Sequence, residues 1–307
     1  MSVTTDRILD ISDGGFHLRA ENRQLVLEKK GELPRTVPFE EIAVLLVSNS
    51  WCTYTHTALV LLAEGNGILV TCDSRSMPIA MSLPLQGYTL PMERLRQQVN
   101  ASAPMQKRLW QQIVRAKIRS QATILKELRR QDAGLENMVE RVGSGDPENI
   151  EAQAARRYWP RVFGNPGFSR RPQEDAPPNH LLDYGYAVLR ALTARAIVAS
   201  GLNATFGIHH HHRANAFCLA DDLMEPFRPL VDRQVAYLIE LQGDAAPLNR
   251  DNKAALIAPM MLRVCYEGEW RTLFDVLARI AANVAAVYAE ATDKLYLPEN
   301  CTTQKAE

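Results

Sequence analysis

The amino-acid sequence predicts an α+β protein in which a small β-rich N-terminal domain precedes a larger all-α C-terminal domain. Up to about residue 85, short runs of alternating apolar and polar residues are separated by turn-forming residues, a pattern typical of β-strands. Beyond Pro91 the apolar residues recur at helical spacing. We therefore place the β-rich domain at residues 1–85, a linker at 86–94 and the helical domain at 95–307.

The composition is that of an ordinary globular protein. Of the 307 residues, 46% are hydrophobic and 23% are charged, which is enough to bury a core. The N-terminus has no apolar run of the length that a signal peptide or membrane anchor requires. The five cysteines are widely spaced, odd in number and without a CxxC pair, which argues against a disulfide framework or structural zinc. We expect a cytoplasmic protein that does not enter membranes.

The N-terminal domain is predicted to begin with consecutive antiparallel strands. The runs RILDIS, FHLRA, QLVLEK and IAVLLV lie between residues 7 and 47 and are separated by turn-forming residues. The segment HTALVLLAEGNG, residues 56–67, predicts a helix that ends at glycine. GILVTCD and PIAMSL then predict two further strands.

The C-terminal domain is predicted to contain five long helices. They span residues 104–130, 181–201, 222–242, 250–265 and 271–293. Residues 163–178 are rich in glycine and proline. We therefore expect a flexible loop there, just before the helix predicted at 181–201.

Positive charge is concentrated locally although the formal net charge is zero. Ten basic residues and one acid lie between Arg94 and Arg130, a local net charge of +9. Five arginines and no acid lie between Arg156 and Arg171. Such patches suit a nucleic-acid backbone, but they are equally typical of a solvated helix face. Charge alone leaves both interpretations open.

The segment GIHHHHRANAFCLADDLMEPFRP, residues 207–229, is the first candidate site. Its four consecutive histidines indicate either a metal site or an exposed polar loop. Asp222 and Glu225 are three residues apart, so on a helix they share a face. The alternative is that the acids cap the helix and favour the positive end of its dipole.

A second candidate lies in SGDPENIEAQAARRYWPRVFG, residues 144–164. Ser144, Asp146 and Pro147 are typical of a helix start. Glu151 follows one turn later, beside alanines that would let another helix approach closely. A carboxylate in such a position needs a partner or a metal ion if it is buried. A solvated glutamate on the first turn is the alternative.

Three segments together resemble one protein family. NIEAQAARRYW, NHLLDYGYAVLRA and GLNATFGIHHHHRANAFCLADDLMEPFRPLVD occur in the order found in the CRISPR-associated adaptation integrases, and the resemblance extends from about residue 5 to residue 293. The type II variety of that family is the most similar. The resemblance implies a DNA integrase and endonuclease that joins the 3′-hydroxyl ends of short duplex DNA to a CRISPR array by transesterification. It also implies Mg²⁺ or Mn²⁺ as the cofactor, which suits a site of two carboxylates and one imidazole.

The resemblance assigns roles to particular residues. Glu151, His210 and Glu225 would bind the metal ion and act in catalysis, with Asp222 in a supporting role. The family histidine stands three positions after a glycine, so Gly207 points to His210. The run of four histidines departs from the family pattern of one or two, which leaves the histidine register open.

DNA and protein partners are also implied. The basic residues expected to contact the DNA backbone are Arg108, Arg115, Arg119, Arg156, Arg157, Arg161, Arg170 and Arg171. The family acts as a homodimer, built largely through the β-rich domain, with a small ferredoxin-like CRISPR-associated adaptation partner. Type II relatives also cooperate with an effector nuclease and an adaptor.

Two other functions remain compatible with the residues. A metal-dependent nuclease would use the same site with water as the nucleophile and would not integrate DNA. A non-enzymatic, architectural DNA-binding protein would use the acids as helix caps, and its DNA affinity would not depend on Glu151, His210 or Glu225.

Overall fold

The computed structural model describes residues 6–12, 14–84, 90–172, 177–244, 246–300 and 302–304. Within these residues, the N-terminal part forms eight strands, one α-helix and a 3₁₀ turn at Phe39–Glu41. The strands and the α-helix are β1 (Arg7–Ile11), β2 (Phe16–Glu21), β3 (Gln24–Lys29), β4 (Arg35–Pro38), β5 (Ile42–Val47), β6 (Thr53–Tyr54), α1 (His56–Glu64), β7 (Ile68–Cys72) and β8 (Pro78–Ser82).

The eight strands form two sheets, in the orders β1-β5-β7-β8 and β4-β3-β2-β6. β2 and β3 pair in antiparallel fashion, as predicted. β4, which the sequence analysis did not predict, pairs in antiparallel fashion with β3. β1, however, pairs in parallel with β5, and β5 pairs in parallel with β7, so the prediction of consecutive antiparallel strands is wrong for β1 and β5. All six residues of β5 (IAVLLV) are buried, which is typical of a central strand in a parallel sheet. Alternation of apolar residues reports the buried face of a strand, but it does not specify its neighbour.

The C-terminal part is mostly helical, which confirms the predicted fold class. Its helices are α2 (Pro91–Val99), α3 (Ala103–Arg129), α4 (Glu136–Val139), α5 (Ile150–Val162), α6 (Asn179–Ala199), α7 (Cys218–Met224), α8 (Arg228–Gln242), α9 (Arg250–Ile257) and α10 (Leu273–Tyr288). Residues 91–94 of the predicted linker are the first turn of α2, and residues 85–89 lie outside the described residues. In the predicted loop at 163–178, residues 173–176 also lie outside them. The division into domains stays a prediction.

The sequence analysis did not predict a small third sheet. The helix predicted over 250–265 ends at Ile257, and the chain then forms β9 (Arg263–Tyr266) and β10 (Glu269–Thr272), with β11 (Thr303–Gln304) on the other edge of β9. Glu267 and Gly268 between β9 and β10 both have positive φ angles, of 50° and 79°. Two such residues are what a tight two-residue hairpin needs. α10 therefore starts only at Leu273, after Thr272, whose hydroxyl accepts the N–H of Asp275.

One continuous hydrophobic core joins the helices to the first sheet. Residues of β5 and β7, such as Val44 and Val70, belong to the same buried cluster as residues of α3, α5, α6 and α8. The other face of that sheet packs with α1 and the second sheet in a separate cluster that includes Leu18 and Leu62. The helices that carry the predicted site residues are thus fixed by a shared core.

The sequence analysis predicted neither membrane insertion nor a disulfide framework. None of the helices in the described part of the chain has the length and hydropathy needed to cross a membrane. Cys52, Cys72, Cys218 and Cys265 are free thiols, and Cys301 lies outside the described residues.

Candidate metal centre

Three separate helical segments bring charged side chains to one point. Lys117 lies in the middle of α3, Glu151 in the first turn of α5, and Glu225 in a 3₁₀ turn between α7 and α8. α3 packs against both α5 and this 3₁₀ turn. Ala154, on α5, is fully buried, as expected if a small residue there allows close helix approach.

Asp146 fixes the start of α5 and hence the position of Glu151. Its carboxylate accepts the backbone N–H groups of Ile150 and Glu151, at 2.8 and 2.9 Å. These groups have no partner within the helix, so the side chain satisfies them. The Asp146–Pro147 pair therefore marks the helix start, and the side chain of Glu151 is left 25% exposed.

Glu225 lies where two helices meet rather than inside one. The helix predicted over 222–242 is wrong in this respect: α7 starts at Cys218, and the turn Glu225–Phe227 separates it from α8. Pro226 has no N–H to donate, and this favours the break. Asp222 consequently lies within α7 and does not cap a helix, so the capping alternative fails at this residue. Glu225 is buried.

Lys117, Glu151, Glu225 and Arg228 form a compact group of alternating charges, which we call the carboxylate cluster. The Lys117 ammonium lies 2.6 Å from Oε1 of Glu151 and 2.7 Å from Oε2 of Glu225. Nε of Arg228 lies 3.0 Å from Oε1 of Glu225. The two acids therefore share one cation, and Glu225 has a second.

Burial and charge oppose one another in this cluster. Burial alone would raise the pKa of Glu225, but Arg228 and Lys117 outweigh it and hold that pKa below its ordinary value. Burial alone would lower the pKa of Lys117, but Glu225 and Glu151 outweigh it and raise that pKa. Both groups are consequently charged near neutral pH.

Residues 207–212, which we call the histidine loop, are held by Asp222. The Asp222 side chain is fully buried and accepts the backbone N–H groups of Ile208, His209 and His210, at 2.6, 3.0 and 3.3 Å. Nδ1 of His210 donates to the same carboxylate at 2.6 Å. This hydrogen bond raises the pKa of His210 and fixes its ring, which leaves Nε2 as the nitrogen that could coordinate a cation.

The four histidines have different environments. The ring of His209 stacks on the buried Trp110, with centroids 4.1 Å apart and an interplanar angle of 5°. His210 faces Asp222, whereas His211 and His212 are exposed. A Cβ atom on Gly207 would lie only 2.3 Å from the carbonyl oxygen of His210, so only glycine permits this turn. Within the run, His210 alone has a carboxylate on one ring nitrogen.

The residues fit a divalent cation, although no three His, Cys, Asp or Glu side chains within the described ranges converge on one point. The carboxylates of Glu151 and Glu225 already hold a cation between them, at 2.6 and 2.7 Å. The pKa of Glu225 is lowered mainly by Arg228 and Lys117, and the charge of His210 contributes to the same shift. Two carboxylates and one imidazole form a donor set suited to Mg²⁺ or Mn²⁺.

Sequence reasoning did not single out Lys117 or Arg228. By sequence, Lys117 is only one of the ten basic residues on and near α3. Its spacing was informative, because Leu109, Ile113, Lys117, Gln121 and Leu125 lie four residues apart and share one face of the helix. Leu109, Ile113, Gln121 and Leu125 are buried. A lysine in that row needs a buried acidic partner.

A cleft of about 1210 Å³ opens beside the cluster and is lined by Lys117, Glu225 and Arg228. Arg170, predicted to contact DNA, also lines it, but its side chain is 13% exposed and pairs with Asp183. Among the other arginines predicted to contact DNA, two bind Glu140 or nearby carbonyl oxygens and five are exposed. The paired ones are Arg115 and Arg119, and the exposed ones are Arg108, Arg156, Arg157, Arg161 and Arg171.

Comparison with known proteins identifies similar sequences. The family model described as CRISPR associated protein Cas1 matches residues 9–245. A CRISPR-associated endonuclease Cas1 of Neisseria meningitidis serogroup C is 38% identical over 301 residues, which is 96% of each chain. A second relative with that description, from Pyrobaculum aerophilum, is 28% identical and covers 82% of this chain and 89% of its own.

Solved structures show the same fold. A casposase bound to its integration product superposes with a TM-score of 0.75 at 19% identity, and covers 94% of this chain and 92% of its own. A Cas1 protein from Thermotoga maritima superposes with a TM-score of 0.71 at 16% identity, over 92% and 96% of the two chains.

Proposed function

This chain belongs to the CRISPR associated protein Cas1 family, and on that premise we propose that it is a divalent-cation-dependent DNA integrase and endonuclease of CRISPR adaptation. It joins the 3′-hydroxyl ends of short duplex DNA to the CRISPR array by transesterification. Glu151, His210 and Glu225 are the proposed metal-binding and catalytic residues, with Asp222 as the residue that positions His210.

The observation that carries this proposal is the convergence of Glu151 and Glu225 on one cation. The two acids are 74 positions apart in the sequence and come from different helices, yet one ammonium lies within 2.7 Å of both. Helix capping does not require such a pairing. A site that already stabilises a cation next to an open cleft is suited to phosphodiester chemistry.

In the reaction, the 3′-hydroxyl of the incoming strand gives up its proton, and its oxygen attacks a phosphorus atom of the array. One P–O bond forms, one P–O bond breaks, and the leaving 3′-oxygen takes up a proton. A bound Mg²⁺ or Mn²⁺ would supply a Lewis acid that stabilises the charge on the phosphate. Asp222 holds His210 in one tautomer, and Arg228 holds the Glu225 carboxylate at 3.0 Å. These interactions fix the coordinating atoms before substrate arrives.

DNA binding is proposed to use the exposed arginines of α5. Arg156 and Arg157 lie on the same helix as Glu151 and are exposed. Replacing both with glutamate should weaken duplex binding and reduce the slope of log Kd against log salt by about 1 for each phosphate that is no longer neutralised. Arg115→Glu with Arg119→Glu is the comparison pair, since these arginines already bind Glu140. An unchanged slope in both double variants would remove α3 and α5 from the DNA surface.

The proposed partners follow the family. They are double-stranded DNA, a second copy of this chain, a small ferredoxin-like adaptation partner and, in a type II setting, an effector nuclease and an adaptor. Two of the solved relatives are described as a Cas6-RT-Cas1–Cas2 complex and a TtCas1–DNA complex.

The test is an integration assay with purified protein, its small partner, a short duplex with free 3′-hydroxyls and a supercoiled plasmid carrying the array. We expect relaxed plasmid covalently joined to the duplex with Mn²⁺ or Mg²⁺, and none with EDTA or with Glu151→Gln. Nicked plasmid without joined duplex would instead identify a nuclease that does not integrate. DNA binding with no change to the plasmid, and with an affinity independent of Glu151, would favour the architectural alternative.

A further inference from the structure

The cation between Glu151 and Glu225 belongs to the protein itself. Lys117 reaches from the middle of α3 to both acids, and its side chain is only 13% exposed. The other basic residues that the sequence places on this helix behave differently. Lys126, for example, pairs with Glu136 at 2.6 Å at the surface, with 50% of its side chain exposed. Lys117 is therefore not part of the solvated cationic face.

The Lys117 ammonium and a divalent cation cannot bind between the acids together. Nζ lies 2.6 and 2.7 Å from the two carboxylate oxygens. Mg²⁺ binds such oxygens at about 2.0–2.1 Å, and so would occupy nearly the same point in space. Two positive charges at that separation would also repel one another strongly. One must leave before the other binds.

We propose that Lys117 is an internal substitute for the divalent cation, which holds Glu151 and Glu225 together in the metal-free protein and must withdraw before the metal ion binds. Lys117 thereby sets the affinity of the site for its cation. This inference rests on the proposed function, since it concerns the same metal site.

The surroundings indicate which cation moves. Arg228 is three residues from Glu225, and its guanidinium lies 4.7 Å from the centre of the Tyr186 ring, so it is held from two sides. Lys117 crosses from another helix on a flexible four-carbon side chain and lines the open cleft. Its ammonium can move into the cleft, where a DNA phosphate would attract it. Metal and DNA should therefore each favour the binding of the other.

The test is the dissociation constant for Mn²⁺ alone, measured by calorimetric titration of the intact chain. Lys117→Met keeps much of the side-chain volume and removes the competing charge, so we expect Mn²⁺ to bind at least tenfold more tightly than in the wild-type protein. The same variant should unfold at a lower temperature without metal, and Mn²⁺ should raise its Tm more than it raises the wild-type Tm. Lys126→Met is the matched control on the same helix, and we expect it to change neither quantity.

Lys117→Arg provides a second measurement that does not depend on how well Lys117→Met folds. It retains the charge, and guanidinium groups bind carboxylates more tightly than ammonium groups do, so Mn²⁺ should bind more weakly than in the wild-type protein. If the wild-type protein bound Mn²⁺ and Lys117→Met bound it with equal or lower affinity, the inference about Lys117 would be wrong. The proposed function would still stand. If neither the wild-type protein nor any Lys117 variant bound Mn²⁺, the metal assignment itself would fail as well.

Discussion

The carboxylate cluster and the histidine loop supply the same candidate site in different ways. In the cluster, the side chains of Glu225, Lys117 and Arg228 are 5%, 13% and 23% exposed, and helices fix them from several sides. In the loop, the His210 side chain is 42% exposed, and one fully buried carboxylate, that of Asp222, holds it. The cluster is thus a set of mutually dependent charges, whereas the loop depends on a single anchor.

This difference should separate effects on folding from effects on chemistry. Removing one member of a buried ion pair leaves the other without compensation, which typically costs about 3–5 kcal/mol. Removing the half-exposed imidazole of His210 leaves the buried Asp222 carboxylate with its three backbone N–H donors, so that charge keeps most of its hydrogen bonds. The following substitutions test this contrast.

The largest effects are expected from Glu151→Gln and Glu225→Gln. Each should lower the integration rate by about 10³-fold, because each removes a metal-binding carboxylate. Glu225→Gln should also lower the free energy of unfolding by about 3 kcal/mol or more, because it leaves Lys117 and Arg228 with less compensation. The free energy of unfolding of both variants, measured by urea denaturation alongside the integration assay, distinguishes Glu225→Gln from Glu151→Gln. Equal stability losses would show that the cluster is not organised around Glu225.

Alanine substitutions within the histidine loop come next. His210→Ala should lower the integration rate by about 10²-fold with little change in stability. His209→Ala should retain activity and lose about 1 kcal/mol of stability, because it removes the ring stacked on Trp110. His211→Ala serves as the control with neither effect. If activity disappeared in His209→Ala instead, the assigned histidine register would be wrong.

Asp222→Asn tests the anchor of the loop. An amide cannot accept all four hydrogen bonds that the carboxylate receives from residues 208–210. We expect Mn²⁺ to bind about 10- to 100-fold more weakly, as is usual when the partner of a metal-binding histidine is removed. Titration with Mn²⁺ measures this effect, and Asp221→Asn is the neighbouring control. An affinity equal to the wild-type value would show that the loop keeps its position without Asp222.

The smallest effect on activity is expected at Asp232, which is buried and accepts hydrogen bonds from Tyr158 and Tyr186. Burial raises its pKa from 3.8 to about 6. The folded protein therefore holds this proton more tightly than the unfolded chain, and stability falls as the pH rises from about 4 to 6, at about 1.4 kcal/mol per pH unit at most. Asp232→Asn should remove this part of the pH dependence. Chemical denaturation of both proteins at pH 4, 5, 6 and 7 measures it, and parallel curves would contradict the prediction.

Local sequence signals predicted the fold class and the start of the helix that carries Glu151. The change from strand patterns to helical spacing predicted the α+β class, and Asp146 with Pro147 predicted the start of α5. Strand pairing was not predictable in this way, because β1 and β5 lie 30 residues apart and their parallel pairing depends on the core that they share. The β9–β10 hairpin was missed because its turn, Glu267–Gly268, is short and the flanking residues also suit a helix.

By itself, the sequence determined the residue types of the candidate site and their local geometry: a glutamate one turn into α5, an acid-rich α7, and a glycine that permits the histidine turn. Only the tertiary structure decided which charges meet. Lys117 looks like one of ten basic residues until α3 packs against α5 and the α7–α8 junction. The reason is physical: the energy of a buried charge depends on partners within a few ångströms, and helices distant in sequence supply those partners.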